Sequence, residues 1–328
     1  MEARPKIIVV LGPTGGGKSE VAVALAERMG VAAGPVIGAD SMQVYRHLDA
    51  GTAKPEAALR ARVRHVGIDA VEPTEPFSVA DWLAMAEAAV TEAAARGAVP
   101  VVAGGTHLYV RALLEGLMDG PGRDDGFRAS LEPTAEPELR ERLAAVDPPA
   151  AARIERGDRR RLIRALEVHH VTGRPISDWQ AEWSDAPRPY RFAATIIGIR
   201  WPVEAINGRI NARVRAMFDD GPEHEGLVQE TERLERCGLL GPQAREALGT
   251  KQCLAYLQHR GRVDSRDMLD GKIRSVDDAV ERTKILTRRF AKQQRTWFKR
   301  FRGVRWVEGA SAVSEALALL PPAPSGPA

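Results

Sequence analysis

Short runs that are apolar at every position alternate, in the first third of the chain, with longer stretches of helical periodicity. Lys6–Leu11 (KIIVVL) is apolar on both faces and predicts a buried strand. Ser19–Met29 predicts a helix, with Gly30 as its stop. Val36–Ala39 predicts a short second strand ending at Asp40 and Ser41. Ser78 with Asp81 three residues on has the form of a capping box, opening an alanine-rich helix that closes near Gly97. Val99–Ala103 (VPVVA) predicts another buried strand, closed by Gly104 and Gly105, with Tyr109–Leu117 as the helix after it. Such alternation predicts an α/β protein.

The pattern then changes. Asp119–Gly126 (DGPGRDDG) is a hinge composition, and Phe127 to about Trp183 is helical and polar. An apolar strand returns at Ala194–Arg200, followed by a second helical stretch over 203–302 and a short strand at Val304–Val307. The expected organisation is a core begun by residues 1–119 and a helical insertion at 120–190. Residues 191–310 complete the core with basic helices, and 311–328 form a C-terminal segment whose tail from Pro321 is disordered. No internal repeat is present.

A length of 328 residues suits two domains, or one core with a large insertion. With 44% hydrophobic and 28% charged residues, the chain is neither disordered nor collagen-like. No apolar run approaches the ~20 residues of a membrane span, and Ile7–Leu11 is too short for a signal-peptide core. The two cysteines, Cys237 and Cys253, offer neither a disulfide framework nor a metal spacing. A cytoplasmic protein with both cysteines in packing roles is expected.

Gly12-Pro13-Thr14-Gly15-Gly16-Gly17-Lys18-Ser19 fits GxxxxGK[ST] between a buried strand and a helix. Successive backbone N–H groups there can wrap phosphate oxygens at the positive end of a helix. Lys18 supplies a point charge, and Ser19 a hydroxyl for Mg2+. The motif specifies a phosphate and not its carrier, and with the strand pattern it places the core among P-loop NTPase-like parallel sheets. Asp40 closes the next strand, at the edge where ligands of open α/β sheets bind. It suits magnesium binding or proton abstraction, and equally a helix cap or turn. Gly104-Gly105-Thr106-His107 closes another strand, so Thr106 is a candidate hydroxyl at the same phosphates or an N-cap. His107 has no partner at metal-ligand spacing. An apolar strand ending in Asp, as in a motor ATPase, is missing, since VVAGG ends in glycine.

Net charge is only +3, but its distribution is uneven: between Arg282 and Arg305 there are ten Arg or Lys residues and no acid. On a helix, Arg288, Lys292, Arg295 and Lys299 fall within about 60° of one another. Leu286, Phe290, Trp297 and Phe301 fall opposite and are expected to pack on the core. A charge run is commonly a solvated face, but such a face normally mixes signs, so nucleic acid is favoured. A second cluster, Asp158-Arg159-Arg160-Arg161 with Arg164, reads by itself as an exposed first helical turn.

Together these segments resemble the tRNA dimethylallyltransferase (isopentenyltransferase) family. The matching stretches are GPTGGGKS at 12–19, DSMQVYRHLDAGTAKP at 40–55, FSVADW at 77–82 and GGTHLYVRALLEGL at 104–117. DRRRLIRALEV at 158–168 and TRRFAKQQRTWF at 287–298 complete the set. The resemblance implies transfer of a dimethylallyl group from dimethylallyl diphosphate to the exocyclic amine of adenosine 37 in a tRNA anticodon stem-loop, by a monomer with Mg2+. The phosphate loop would hold the donor's diphosphate and not ATP. It implies Asp40 as general base, Thr106 at the reacting centre and diphosphate, and Lys18 on the leaving group, with Arg128 in the donor and tRNA site. The tRNA-contacting segments would be Asp40-Ser41-Met42-Gln43, Arg160-Arg161-Leu162-Ile163-Arg164 and Glu246-Ala247-Leu248-Gly249-Thr250-Lys251, with Arg288, Lys292 and Arg295 on the basic helix.

Some positions depart from the family pattern. Thr250 stands where an aromatic residue is usual, and Glu232, beside Arg233, stands where an arginine is. Pro222–Glu225 is additional, and Ala291-Lys292-Gln293-Gln294 replaces Ala-Lys-Arg-Gln. Three rivals make different predictions. A P-loop small-molecule kinase would use ATP and need no RNA, and an isopentenyltransferase of free adenine nucleotides would need neither insertion nor basic helix. A non-catalytic RNA-binding protein would not need Lys18, Ser19, Asp40 and Thr106 intact.

Overall fold

The computed structural model describes residues 4–30, 33–117, 120, 122–185, 188–221, 225–263 and 271–320. The expected disordered tail and most of the additional Pro222–Glu225 segment lie outside these residues. The chain divides into two compact units, Met1–Leu114 with Tyr190–Ala328, and Glu115–Pro189.

The first unit opens with β1 (Lys6–Leu11), α1 (Lys18–Met29), β2 (Ala33–Ala39), α2 (Ala57–Arg62), β3 (His65–Val66), α3 (Val79–Ala95), β4 (Val99–Gly104) and α4 (His107–Glu115). The strand β3 has only two residues, too few to leave a pattern in the sequence. The Ser78–Asp81 capping box is present at the start of α3.

The second unit is helical: α5 (Asp125–Leu131), α6 (Glu136–Val146), α7 (Pro148–Arg153), α8 (Arg159–Thr172) and α9 (Ile176–Asp185). The chain then completes the first unit with β5 (Ala193–Arg200), α10 (Val203–Phe218), α11 (Leu227–Arg236), α12 (Thr250–His259), α13 (Val276–Phe298), β6 (Val304–Glu308) and α14 (Ala312–Ala318).

The sheet is six-stranded, in the order β3-β2-β4-β1-β5-β6, and every pairing is parallel. Central β1 explains the double-sided apolar pattern. Ile7, Val9 and Leu11 enter a core containing Trp82, Tyr109 and Phe298, while Ile8 and Val10 enter another containing Val21, Leu25 and Ile199. Each aliphatic side chain withdrawn from water in this way contributes about 1.5–3 kcal/mol. From β1 the chain runs toward one edge of the sheet, and from β4 and β5 toward the other. The carboxyl ends of β1 and β4 therefore flank a switch point, where open parallel sheets bind ligands.

Helix α13 corrects one expectation. Its buried residues include Ala291, Gln294 and Phe298, whereas Leu286, Phe290 and Trp297 are only half-buried. Phe301 is buried but lies beyond the helix end. The helix packs on both α10 and α12, so it is covered on more than one side and a single hydrophobic arc does not describe it. Cys253 is buried as expected, but Cys237 is exposed.

Candidate active site at the carboxyl edge of the sheet

The loop between β1 and α1 has three of its carbonyl groups held by protein donors. Pro13 C=O accepts from Gly16 N–H and from Lys18 Nζ, both at 3.0 Å. Gly15 C=O accepts from Arg209 Nε at 2.8 Å, and Gly16 C=O from Trp201 Nε1 at 3.1 Å. Arg209 also lies over the Trp201 ring. Gly17, with φ of 87°, makes the left-handed turn into α1 that side chains rarely adopt. With these carbonyls held by protein donors, the loop leads directly into the amino end of α1, a position that favours an anion.

Lys18, the first residue of α1, is half-buried at the end of this loop. Burial pulls its ammonium pKa down to about 8, opposed by the Asp40 carboxylate, assisted by Arg213 and opposed by Glu20. Arg213, on α10, is the cation the sequence did not disclose. Burial shifts it below the usual guanidinium value, with Asp40 and Glu20 opposing. It donates to Ala53 C=O at 3.1 Å, the same carbonyl that accepts from Gln43 Nε2 at 3.2 Å. Ala53 has φ of 46°, a strained value that these two donors help to hold.

Asp40 lies just past β2. Its Oδ1 accepts from Met42 N–H at 2.9 Å and from Gln43 N–H at 3.4 Å. Thr106, just past β4, donates its N–H to Ala39 C=O at 3.0 Å, and its Oγ1 accepts from Ser41 N–H at 3.0 Å. Its hydroxyl thus faces the Asp40 turn, while its carbonyl accepts from Tyr109 and Val110 at the start of α4. Lys18, Asp40 and Thr106 are therefore gathered at one edge of the sheet, with the loop 12–19.

His107 stacks on Trp297 with ring centroids 4.3 Å apart, and Arg300 lies over the Trp297 ring at 3.9 Å. Burial, then Arg111 and Arg300, push the His107 pKa down to about 4, which keeps the ring neutral near pH 7. Among the described residues no group of three His, Cys, Asp or Glu could hold a metal ion.

The proposed RNA-contacting residues divide by burial. On α13, Lys292 is exposed, Arg295 is half-buried, and Arg288 donates to Asn211 Oδ1. Lys299 follows the helix end. Arg295 NH1 is buried with no partner among the described residues. In the 246–251 segment, Ala247 and Thr250 are 2% exposed, and Glu246 pairs with Lys251 at 2.7 Å. Ala247, before α12, and Thr250, its first residue, have their side chains packed inward. Glu232 pairs with Arg262, and Arg233 with Glu225, both at 2.7 Å.

In the helical unit, Arg160 and Arg161 are exposed on the first turn of α8, but Leu162 and Ile163 belong to that unit's hydrophobic core. A helix that supports a core must turn one face inward, so the side chains of these two pack within the unit. Glu167, with a fully buried side chain, accepts from Arg128 Nε and NH2 at 2.7 Å each, from Arg164 at 2.6 Å and from Asp124 N–H at 2.8 Å. Burial alone would raise its pKa, but those hydrogen bonds prevail and hold it at about 2.

A glycine-rich loop on a parallel sheet, with a carboxylate and a hydroxyl just past two adjacent strand ends, has the form of a P-loop-like α/β fold. The chain matches the family IPP transferase over residues 43–301 and Isopentenyl transferase over residues 5–71. It is 42% identical over 311 residues to the tRNA dimethylallyltransferase of Geobacter sulfurreducens, covering 93% of each chain. Identity to the Anaeromyxobacter dehalogenans tRNA dimethylallyltransferase is 43% over 307 residues, covering 92% of this chain and 94% of the relative.

Among solved structures, it resembles the full-length tRNA isopentenylpyrophosphate transferase of Bacillus halodurans, with a TM-score of 0.65, 33% identity and coverage of 96% and 95%. A eukaryotic dimethylallyltransferase solved acting on tRNA gives a TM-score of 0.71 at 25% identity, covering 94% of this chain and 77% of that one. The chain belongs to the IPP transferase family and is a prenyl-transferring enzyme. Among the described residues no helix is long and apolar enough to cross a membrane.

Proposed function

We infer that this enzyme transfers a dimethylallyl group from dimethylallyl diphosphate to the exocyclic amine of adenosine 37 in the anticodon loop of a tRNA. The observation that carries this reading is the convergence of Asp40 and Thr106, joined through Ser41 N–H at 3.0 Å at the ends of adjacent β2 and β4, with the 12–19 loop that follows β1, the other neighbour of β4. The family relationship favours it over a small-molecule kinase or an enzyme of free nucleotides.

The chemistry follows from the groups present. An adenine amine is a weak nucleophile because its lone pair is delocalised into the ring. The allylic carbon compensates by tolerating positive charge as its bond to the diphosphate oxygen breaks. That oxygen leaves with the bonding electron pair, and Lys18, Arg213 and the loop N–H groups other than those of Thr14 and Gly16 stabilise it electrostatically. The new bond forms between the amine nitrogen and the allylic carbon, and Asp40 accepts the proton that the nitrogen sheds. Oδ1 is already occupied by two backbone donors, which leaves Oδ2 as the accepting oxygen.

A Mg2+ ion would be held by the Ser19 hydroxyl together with diphosphate oxygens, a hard-oxygen set that suits it. When bound it would neutralise charge on the leaving group. Exposed Lys292, half-buried Arg295, Arg160 and Arg161 would contact RNA phosphates. Reaching the site requires the base to leave its stack.

The test incubates the protein with magnesium, labelled dimethylallyl diphosphate and unmodified tRNA, with AMP replacing tRNA and ATP replacing the donor in parallel reactions. Label is expected in tRNA only. Label in AMP, or phosphoryl transfer from ATP, would overturn the reading.

A further inference from the structure

Gln294 is a polar residue on the buried face of α13, only 3% exposed. Its amide is engaged at both ends by the site it faces. Oε1 accepts from the Thr14 N–H of the phosphate loop at 2.8 Å, and Nε2 donates to the Gly105 carbonyl at 3.0 Å. One planar group therefore bridges the loop after β1 to the loop after β4. Thr106, the next residue, carries the connection to the Asp40 turn through Ser41.

The approach is close enough to dictate a neighbouring residue. A Cβ on Gly105 would overlap Gln294 Nε2 and would stand 3.9 Å from Lys18 Nζ. Glycine at 105 and glutamine at 294 thus form one fitted pair, 189 positions apart in sequence. Burying an unpaired amide in this place would cost free energy, and here both halves are paired.

We propose that Gln294 is a positioning residue for the transfer reaction: its clasp of Thr14 and Gly105 sets the separation between the diphosphate cradle and the Asp40–Thr106 pair that meets the incoming amine. The inference rests on the prenyl-transfer reading above. Two loops joined only through their own strands would keep some freedom at their tips. A displacement of about 1 Å between reacting groups costs about 10²-fold in rate. The clasp acts on the geometry of transfer and not on the grip on RNA, which Lys292 and Arg295 on the same helix would supply.

The deciding variant is Gln294→Met, which keeps the length and bulk of the side chain and removes both hydrogen bonds. Its kcat with tRNA and dimethylallyl diphosphate is expected to fall toward about 10²-fold below wild type. The donor KM should rise, while the tRNA Kd, measured by filter binding, stays unchanged. Melting temperature and the fraction of active sites, titrated in a single turnover, separate this from simple loss of folded protein. Gly105→Ala should lose kcat in the same way. Combined with Gln294→Ala it should cost no more than either change alone, because both abolish the same interaction.

A wild-type kcat in Gln294→Met, or a tRNA Kd that weakens in step with kcat, would overturn the proposal. Should that variant not fold, Gln294→Glu is read by the same criteria. It keeps the acceptor for Thr14 and sets an oxygen against the Gly105 carbonyl. If wild type itself transfers no prenyl group to tRNA, the functional reading falls. If wild type is active and Gln294→Met matches it, the clasp alone falls.

Discussion

Thr106 Oγ1 accepts a hydrogen bond from the Ser41 backbone N–H at 3.0 Å, joining the ends of two neighbouring strands next to the candidate base. The hydroxyl therefore holds the Asp40 turn in place before any substrate arrives. Thr106→Val preserves the shape but leaves the part-buried Ser41 N–H without its acceptor, a defect toward the lower end of the about 1–3 kcal/mol that a fully buried donor would cost. We expect kcat for prenyl transfer to fall by about 10- to 100-fold, with Thr106→Ser recovering most of it. Steady-state kinetics on the three proteins checks this, and full activity in the valine variant would remove the hydroxyl from the reaction.

Asp40→Ala removes a carboxylate whose charge acts on both Lys18 and Arg213, more strongly on each than that of Glu20. General-base removal typically costs about 10²–10⁴-fold. The variant should lose transfer to that extent while binding tRNA nearly as well as wild type, since the RNA grip is assigned to other cations. Single-turnover transfer and filter binding, run side by side, separate these two effects.

Lys18 has a pH consequence whose sign is fixed by its burial. With its pKa held at about 8, the free enzyme loses this positive charge as pH rises through that value, far earlier than an exposed lysine would. The donor's diphosphate is fully anionic there, so donor affinity should be greatest below pH 8 and weaken above it. The kcat/KM profile should show a basic limb near the same pH, because it reports the free enzyme's groups. Calorimetric titration of the donor from neutral to alkaline pH measures this directly. Lys18→Arg should remove the limb even if its overall affinity is lower, because a guanidinium stays charged.

Lys292 and Arg295 provide the test of the RNA surface. Lys292 is exposed, and Arg295 keeps a buried NH group without a partner among the described residues. Lys292 suits a phosphate directly and Arg295 only through the part of its side chain left in water, unlike Arg288, which already donates to Asn211. Replacing Lys292 and Arg295 by Gln should weaken tRNA binding and lower the slope of log K against log salt by about 1 for each cation withdrawn from a phosphate. Arg288→Gln should leave that slope alone. An unaltered slope in the first pair would assign those cations to solvent.

Strand β1 and the loop after it were legible because a double-sided apolar run and a glycine-rich turn each have one common physical use. Asp40 and Thr106 were legible as strand-end residues, although their facing arrangement required the sheet order that sets β2 and β4 side by side. Gln294 was not legible. A buried amide on a basic helix looks like another solvated polar residue until its partners, Thr14 and Gly105, are brought to it from the far end of the chain. Arg213 and Glu167 escaped notice for the same reason, since a charge can be buried only when distant groups compensate it. The arc of Leu286, Phe290 and Trp297 misled because periodicity records one packing face, and α13 is covered by two helices.

Glu167 supplies the last prediction, in the helical unit. It is the buried acceptor for Arg128, Arg164 and the Asp124 N–H, so Glu167→Ala leaves two guanidiniums without their carboxylate. Removing one partner of a buried pair costs about 3–5 kcal/mol. Arg128 and Arg164 keep 32% and 36% of their side-chain surface in water, which places the loss at or below the lower end of that range. The pH dependence follows from the depressed pKa of about 2 in the folded state. Stability from this group is fully present above the ordinary glutamate pKa of about 4.3. It drains away as pH falls from there through about 2, where protonation removes the acceptor's charge. Wild type and Glu167→Ala should therefore differ most in urea unfolding at pH 7 and converge as the pH is lowered toward 2. A gap that stays constant over that range would mean that Glu167 supports the helical unit through packing and not through its charge.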